Sequence, residues 1–302
     1  MSLRSLIKEG KLLCVPGVFD GMSVKIASQL KAPALYMTGY GTVASHLGLP
    51  DAGLASYGDM VERVRVLSGL ASVPLIADGD TGYGGLLNVA HAVRGYEKAG
   101  AAAIQLEDQE FPKKCGHTPM RKVVPLEVAA SKIKVATEAR SSKDFLIVAR
   151  TDARTNYGLD EALRRGEAFA EAGADILFIE SPESEQEMQQ IGKAFGTSIP
   201  LLVNVVEGGK TPVLSRETYV ELGYTVAIFP ATAFLAAAKA IEHAYADILD
   251  LGNTQGLIAN ENLADFLTFS QTMGFQDIWD FEKKYAHLED IKKTPLPPRG
   301  TR

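Results

Sequence analysis

Eight short apolar runs, each bounded by glycine, proline or aspartate, recur along this chain of 302 residues. They are almost continuously apolar, which is typical of strands covered on both faces in a parallel sheet. Helical patterns lie between them, and several end in glycine just before the next run. The runs span residues 12–20, 32–39, 73–80, 101–109, 145–152, 175–181, 200–207 and 225–231.

Repeated strand–helix units imply right-handed crossovers and a parallel sheet. Eight units are the number that closes a (β/α)8 barrel, so the sequence predicts an α/β fold of the TIM-barrel type. An open doubly wound sheet is the alternative, but its usual GxGxxG fingerprint is missing after the first run. The GGKT segment at 208–211 is not a phosphate-binding loop, because the position where that loop needs a glycine holds Asn204.

The chain is longer than a barrel requires. We predict the barrel over residues 1–250, closed by a helix from about Thr232 to Leu249, and a C-terminal helical extension and tail over 251–302. Further helices within 261–287 exceed what closure needs, and we expect their apolar face to pack on a neighbouring subunit. The last residues are typical of an extended or disordered tail.

Composition and charge exclude several classes of function. A hydrophobic content of 46% and a charged content of 23% are those of a globular protein. The net charge of −6, with no basic block, argues against a nucleic-acid partner. No apolar run reaches the roughly 18 residues that span a bilayer, which argues against a membrane partner. The two cysteines, Cys14 and Cys115, and the polar N-terminus favour a cytoplasmic enzyme without a disulfide framework.

Polar side chains follow the predicted strands, at the end of a barrel where active sites lie. Asp78 and Asp80 occupy alternate positions at one strand end and therefore share a face. Two hard oxygen donors beside a glycine-rich turn favour a Mg²⁺ or Mn²⁺ site with few protein ligands. The other strand ends and the long loop after the second strand contribute Tyr36, Thr38, Gly39, Tyr40, Asp51, Glu107, Asp108, Arg150, Asp152, Glu180, Asn204 and Glu207.

One arginine among these carboxylates, Arg150, predicts an acidic substrate held between a metal ion and a guanidinium group. The loop PKKCGHTPMRK at 112–122 places Cys115 among five basic or titratable residues: Lys113, Lys114, His117, Arg121 and Lys122. Positive neighbours favour the thiolate form of a cysteine. A mobile loop carrying such a thiol suits gated acid–base catalysis. The alternatives are a solvated basic loop and a structural Cys–His pair.

Seven motifs, in order over about residues 10–240, resemble the isocitrate lyase/phosphoenolpyruvate mutase superfamily. They are TGYG (38–41), GLPD (48–51), DGDTGYGG (78–85), EDQ (107–109), KKCGH (113–117), ARTDA (149–153) and NVVEGGKTP (204–212). KKCGH resembles the carbon–carbon lyase branch, which includes 2-methylisocitrate lyase, 2,3-dimethylmalate lyase and petal death protein. The resemblance implies a Mg²⁺-dependent barrel and a homotetramer whose subunits exchange a C-terminal helix, which agrees with the surplus helices.

The resemblance also implies roles for individual residues. Asp80 would ligate Mg²⁺ directly, while Asp78, Asp51 and Glu107 would hold metal-bound waters. Thr38, Gly39 and Tyr40 would contact the substrate carboxylate and 2-oxo group. Arg150, Asn204, Gly116 and His117 would orient the other carboxylate, with Glu180 close to the reacting carbons.

These roles agree with the chemistry of cleaving a 2-hydroxy dicarboxylate into a 2-oxoacid, such as pyruvate, and a short carboxylate. The hydroxyl proton must leave, the C2–C3 bond must break, and the resulting carbanion must be protonated. A cation chelated by the C2 oxygen and its carboxylate lowers the pKa of that hydroxyl and stabilises the developing oxyanion. The candidate base is Tyr36, with a metal-bound water or a packing role for Tyr36 as alternatives, and the candidate acid is Cys115.

Substrate choice depends on the segment after the eighth strand. In 2-methylisocitrate-type members an arginine follows the PxxAF segment and grips a third carboxylate, whereas PATAF (230–234) is followed here by Leu235. An unpaired third carboxylate is costly, so we expect a malate-type dicarboxylate with small alkyl groups. Its apolar pocket would be lined by Phe178, Ile228, Thr232 and Phe234. Oxaloacetate acetylhydrolase, a phosphonomutase and a catalytically inactive binding protein are the alternatives.

Overall fold

Eight parallel strands close into a barrel in chain order, with the last strand paired to the first. The computed structural model describes residues 1–116 and 121–293, with side chains described up to residue 288. The predicted (β/α)8 fold is confirmed. The strands are β1 Leu13–Val18, β2 Leu35–Met37, β3 Leu75–Asp78, β4 Ala103–Glu107, β5 Leu146–Thr151, β6 Ile176–Ile179, β7 Leu201–Asn204 and β8 Tyr224–Phe229.

Helices precede, connect and follow the strands. The helix predicted to close the barrel from about Thr232 begins at Thr232. The helices are α1 Leu3–Lys8, α2 Gly21–Gln29, α3 Gly39–Leu47, α4 Tyr57–Leu70, α5 Leu86–Lys98, α6 Leu126–Ala139, α7 Arg154–Tyr157, α8 Leu159–Glu171, α9 Glu185–Phe195, α10 Arg216–Glu221, α11 Thr232–Leu251, α12 Gln255–Ala259, α13 Phe266–Met273 and α14 Phe275–Lys293.

The barrel interior is filled by alternate side chains of the strands. Val15, Ile76 and Val148 belong to this buried apolar cluster, which also includes Leu3 of α1. The outward-facing side chains pack against the helices in a second, larger cluster. Because the interior is a packed core, a site can form only where the strands end, as in other barrels of this type.

Helix α3 begins directly at the end of β2, within the segment TGYG. Thr38 is its N-cap, and the side-chain oxygen of Thr38 accepts a hydrogen bond from the Gly41 backbone N–H at 3.3 Å. A Cβ atom at position 39 would overlap the carboxylate of Asp78. Glycine at 39 therefore allows the start of α3 to approach β3 closely, and brings the Thr38 end of the helix to the strand ends.

The chain divides into two compact units, Met1–Ile241 and Glu242–Arg302. The described part of the second unit contains the end of α11 and helices α12 to α14. These helices expose many large apolar side chains, including Leu249, Ile258, Phe266, Leu267 and Phe281. Over the part of the chain that the structure describes, no helix is both long and apolar enough to cross a membrane.

Candidate active site

The C-terminal ends of the strands surround a cavity of about 280 Å³. Most of the residues predicted to form the site line this cavity, although they come from seven strand ends and from the loops and helices that follow them. Its lining includes Tyr36, Thr38, Gly39, Tyr40, Asp51, Asp78, Glu107, Lys113, Lys114, Cys115, Gly116, Arg150, Glu180, Asn204, Ile228, Phe234 and Leu235. His117 lies outside the described residues.

Aspartates from two segments converge on the ammonium group of Lys113. The Nζ atom of Lys113 lies 2.7 Å from Oδ1 of Asp80 and also contacts the carboxylate of Asp51. Asp80 has a positive φ of 49°, and its backbone N–H donates to Oδ1 of Asp78 at 3.0 Å. Burial would lower the pKa of Lys113, but Asp80 and Asp51 raise it well above its usual value, so this lysine is cationic.

The buried acids outnumber the cations that face them. Burial raises the pKa of Asp80 to about 6 and raises the pKa of Glu107 well above its ordinary value. Oε1 of Glu107 is buried without a hydrogen-bond partner among the described residues. Such a site is incomplete without a further positive charge or a polar ligand.

A hard divalent cation fits this site. Asp51, Asp78, Asp80 and Glu107 supply carboxylate oxygens, which are the donors that Mg²⁺ prefers. Among the described residues, no three His, Cys, Asp or Glu side chains are arranged to hold an ion by themselves. The arrangement therefore suits an ion that takes most of its ligands from water or substrate.

Arg150 is oriented by acidic side chains on three sides. Its Nε and Nη2 atoms both donate to Asp152 at 2.9 Å, while Nη2 lies 3.2 Å from Oε2 of Glu180. Its Nε lies 3.4 Å from Oε2 of Glu107. Burial would lower the pKa of Arg150, but these carboxylates raise it, so the guanidinium is a permanent cation at the cavity wall.

Two residues predicted to line an apolar pocket are placed differently by the structure. Phe178 is paired with Arg150 in the strand register and lies beneath it, with the guanidinium carbon 5.1 Å from the ring centroid. It faces the barrel interior but sits one layer below the cavity. Thr232 donates its hydroxyl hydrogen to Oε1 of Glu207 at 2.5 Å instead of lining the cavity.

Tyr36 lines the cavity and is almost fully buried. Burial and the neighbouring carboxylate of Asp78 raise the pKa of Tyr36 well above its usual value. Its phenol therefore keeps its proton at neutral pH in the site as described. A further positive charge nearby would lower this pKa, as the predicted role of Tyr36 as a base requires.

Asp152 lies buried between two arginines. It accepts from Arg150 and from Arg121, and Arg121 also donates from Nη2 to Oγ1 of Thr155 at 2.5 Å. Burial would raise the pKa of Asp152, but the guanidinium groups of Arg150 and Arg121 hold it below its usual range. Asp108 supports this arrangement, since it accepts the Asp152 backbone N–H at 2.9 Å. Sequence reasoning assigned no such role to Arg121, because Asp152 and Arg121 are brought together only by the fold.

Replacing Asp152 with alanine should lower the free energy of unfolding by about 3–5 kcal/mol, because two buried guanidinium groups would lose their shared counter-charge. Urea denaturation of the variant and the wild type measures the difference. Asp144→Ala is the matched control, because the side chain of Asp144 is 72% exposed and makes only a long ion pair with Arg4, at 3.9 Å. This substitution should change the free energy of unfolding by about 0.5 kcal/mol or less. Equal stability of Asp152→Ala and the wild type would contradict the assigned role.

The described residues of the loop that carries Cys115 line the cavity from Lys113 to Gly116. The Cys115 backbone N–H donates to the Asp51 carbonyl at 3.2 Å, and Oγ of Ser181 donates to the Gly116 carbonyl at 3.2 Å. A Cβ atom at position 116 would lie 2.6 Å from Oε2 of Glu180 and overlap Arg150. Two of the basic residues near Cys115 in sequence form ion pairs with carboxylates. Lys113 pairs with Asp51 and Asp80, and Arg121 pairs with Asp152.

Comparison with known proteins identifies the family. Residues 3–249 match the family model described as phosphoenolpyruvate phosphomutase. A 2,3-dimethylmalate lyase of Eubacterium barkeri is 46% identical over 94% of this chain and 97% of its own length. A 2-methylisocitrate lyase of Bacillus subtilis is 38% identical over 97% of this chain and 93% of its own.

A solved structure of oxaloacetate acetylhydrolase, in complex with the inhibitor 3,3-difluorooxalacetate, has a TM-score of 0.88 to this chain. The two are 33% identical, and the match covers 94% of this chain and 96% of that one. The family predicted from the seven motifs is thereby confirmed. The chain belongs to the phosphoenolpyruvate mutase/isocitrate lyase superfamily and is a carbon–carbon lyase.

Proposed function

We propose that this enzyme is a Mg²⁺-dependent lyase that cleaves a 2-alkylmalate, of the 2,3-dimethylmalate type, into a 2-oxoacid and a short carboxylate. With 2,3-dimethylmalate the products are pyruvate and propionate. The observation that carries the proposal is the position of Cys115 in the lining of a cavity rich in carboxylates, where its backbone N–H donates to the Asp51 carbonyl. A thiol in such a cavity could donate its proton to a carbanion formed there.

The metal would be held by Asp80, with Asp78, Asp51 and Glu107 around it, and would supply Lewis-acid stabilisation of charge on the substrate's C2 oxygen. Mn²⁺ has similar ligand preferences and could replace Mg²⁺. The orphaned Oε1 of Glu107 supports this assignment. Arg150, fixed by Asp152 and Glu180, would bind the other carboxylate with Asn204 beside it.

Bond cleavage would proceed by two proton transfers and the movement of the C2–C3 electron pair. Tyr36 is the candidate acceptor of the C2 hydroxyl proton, and its raised pKa means that it needs a nearby positive charge to act as a base. The C2–C3 electrons would pass to C3 as the C2 carbonyl forms. The Cys115 thiol would then donate its proton to C3, with Glu180 near the reacting carbons and Thr38, Gly39 and Tyr40 around the substrate's first carboxylate.

The apolar end of the cavity supports an alkyl-substituted dicarboxylate. Ile228, Phe234 and Leu235 line it, and the ring of Phe234 lies 5.2 Å from the ring of Tyr40. Leu235 provides no guanidinium for a third carboxylate. The identity of 46% to a 2,3-dimethylmalate lyase, against 38% to a 2-methylisocitrate lyase, is consistent with this choice.

A substrate panel tests the proposal. With Mg²⁺ present, the wild type should release pyruvate from 2,3-dimethylmalate with a kcat/KM about 10-fold or more above that for 2-methylisocitrate, a discrimination typical of one pocket contact. In Leu235→Arg the added guanidinium should reverse part of this preference. Coupled pyruvate detection gives both rates. Failure of the wild type to cleave any 2-hydroxy dicarboxylate would refute the proposed function, and an unchanged preference in Leu235→Arg would refute the specificity argument.

Oxaloacetate hydrolysis to oxalate and acetate is the second candidate. The TM-score of 0.88 to an oxaloacetate acetylhydrolase favours it, because the same cavity could hold oxaloacetate with a positioned water. Including oxaloacetate in the panel and measuring oxalate separates the two functions. Oxalate release faster than pyruvate release from every alkylmalate would favour the hydrolase.

The subunits should assemble as a homotetramer that exchanges C-terminal helices. The exposed apolar residues of α11, α13 and α14 support this, since such surfaces on a single chain mark protein–protein contacts. An apolar groove lined by Phe19, Met22, Ile26 and Ala237 lies beside the start of α11 and could receive a partner's helix. Light scattering gives the number of subunits, and a monodisperse monomer would exclude the exchange.

A further inference from the structure

Gln109 lies at the base of the Cys115 loop, two residues after β4. It is buried, with 2% of its surface exposed, and it pairs with Val123 in an antiparallel bridge. Two backbone hydrogen bonds flank this bridge: Glu110 N–H to the Lys122 carbonyl at 2.8 Å and Val124 N–H to the Asp108 carbonyl at 2.9 Å. The backbone of Gln109 is therefore tied firmly to the end of the barrel.

The side chain of Gln109 bonds twice to one residue of the loop. Its Nε2 donates to the Lys114 carbonyl at 2.8 Å, and its Oε1 accepts the Lys114 backbone N–H at 3.0 Å. The glutamine amide thus makes the same pair of hydrogen bonds to Lys114 that the backbone of a neighbouring strand would make. Both polar atoms of the amide are used, so the pairing leaves neither of them unsatisfied in a buried position.

These bonds fix the peptide unit that leads into Cys115. The oxygen of that peptide is the Lys114 carbonyl, held by Gln109, and its nitrogen belongs to Cys115 and donates to the Asp51 carbonyl. The plane of this peptide is therefore held from both sides. Because the plane fixes the N–Cα bond about which Cys115 can rotate, these bonds restrict the directions that the Cys115 side chain can take.

We propose that Gln109 is a positioning residue, which holds residues 114–116 at the cavity wall and orients the Cys115 thiol through its two bonds to Lys114. The inference rests on the proposed function only for the role of Cys115 as proton donor. It differs from a general structural role because Gln109 contacts the loop segment next to the thiol. Its loss should therefore affect the chemical step more than substrate binding.

Gln109→Met keeps the length and bulk of the side chain and removes both bonds. The expected result is a fall in kcat of about 10²-fold on 2,3-dimethylmalate with KM within about 3-fold of the wild type, since the substrate contacts remain. Gln109→Glu keeps the acceptor but sets a carboxylate against the Lys114 carbonyl, and should lose a similar factor. If Gln109→Met fails to fold, the kcat and KM of Gln109→Glu test the proposal instead. Gln189→Met, on the exposed face of α9, is the matched control and should leave kcat unchanged.

A second readout does not depend on turnover. Alkylation of Cys115 by iodoacetamide in the presence of Mg²⁺ and oxalate, measured by peptide mass spectrometry with Cys14 as internal reference, should be about 10-fold faster in both Gln109 variants. Folded Gln109 variants with wild-type kcat and wild-type alkylation would overturn the inference. Absence of turnover in the wild type would refute the proposed function. The ratio of Cys115 alkylation rates in the variants and the wild type would still test whether Gln109 positions Cys115.

Discussion

Removal of divalent cations by EDTA should abolish turnover, by about 10³-fold or more, and added Mg²⁺ should restore it. The physical reason is that carboxylates outnumber cations among the described residues lining the cavity, where the cations are Lys113, Lys114 and Arg150. Without a divalent ion, a developing oxyanion on the substrate would add negative charge to a site that already has an excess of it. Pyruvate release after chelation and after readdition measures the effect.

The restored activity should also depend on pH in a defined direction. Burial raises the pKa of Asp80 to about 6, and a carboxylate must lose its proton before it ligates a cation. The Mg²⁺ concentration needed for half-maximal activity should therefore rise as the pH falls below about 6. Asp80→Asn is the matched variant and should not recover with Mg²⁺. Full activity of a chelated enzyme whose metal content is shown to be negligible would contradict the prediction.

Cys115→Ser should lower kcat by about 10²–10⁴-fold, the contribution of a well-placed general acid. Serine preserves the shape of the side chain, but its hydroxyl is a much weaker acid than a thiol, so the carbanion would be protonated slowly. Oxalate affinity, measured by calorimetry, should stay close to that of the wild type because Arg150 and Thr38, the proposed carboxylate-binding residues, are unchanged.

Cys14→Ser is the control for this experiment. Cys14 lies in β1, on the opposite side of the strand from the barrel interior, and lines the apolar groove near α2. The Cys14→Ser substitution should leave kcat unchanged. Wild-type turnover by Cys115→Ser would eliminate the thiol as the acid.

The barrel could be predicted from the sequence because its strands are covered on both faces, which gives eight nearly continuous apolar runs. Helix α3 was not predicted from the local pattern, since TGYG has the composition of a loop and glycine is a poor helix former. The close approach of Gly39 to Asp78 requires a residue without a side chain, so a tertiary contact overrides local propensity.

The strand ends also predicted most of the cavity lining, because alternate positions of a parallel strand face the same way. How far each inward-facing side chain lies below the cavity could not be predicted in this manner. Phe178 of β6 and Glu180, directly after β6, are two positions apart, but only Glu180 reaches the cavity, since Phe178 lies one layer deeper under Arg150. Contacts between distant segments could not be predicted either, since Lys113 and Asp51 are 62 residues apart in sequence and meet only in the folded barrel.

The two ends of the Cys115 loop lie side by side, joined by the backbone bonds between Asp108 and Val124 and between Glu110 and Lys122. The segment between them is therefore an insert that leaves and re-enters the scaffold at one point. A barrel built this way can exchange that insert for another of different length or composition while its own strands stay in register. New reactivity could then evolve by replacing this one segment, provided that the new segment still forms hydrogen bonds with the unchanged strand ends.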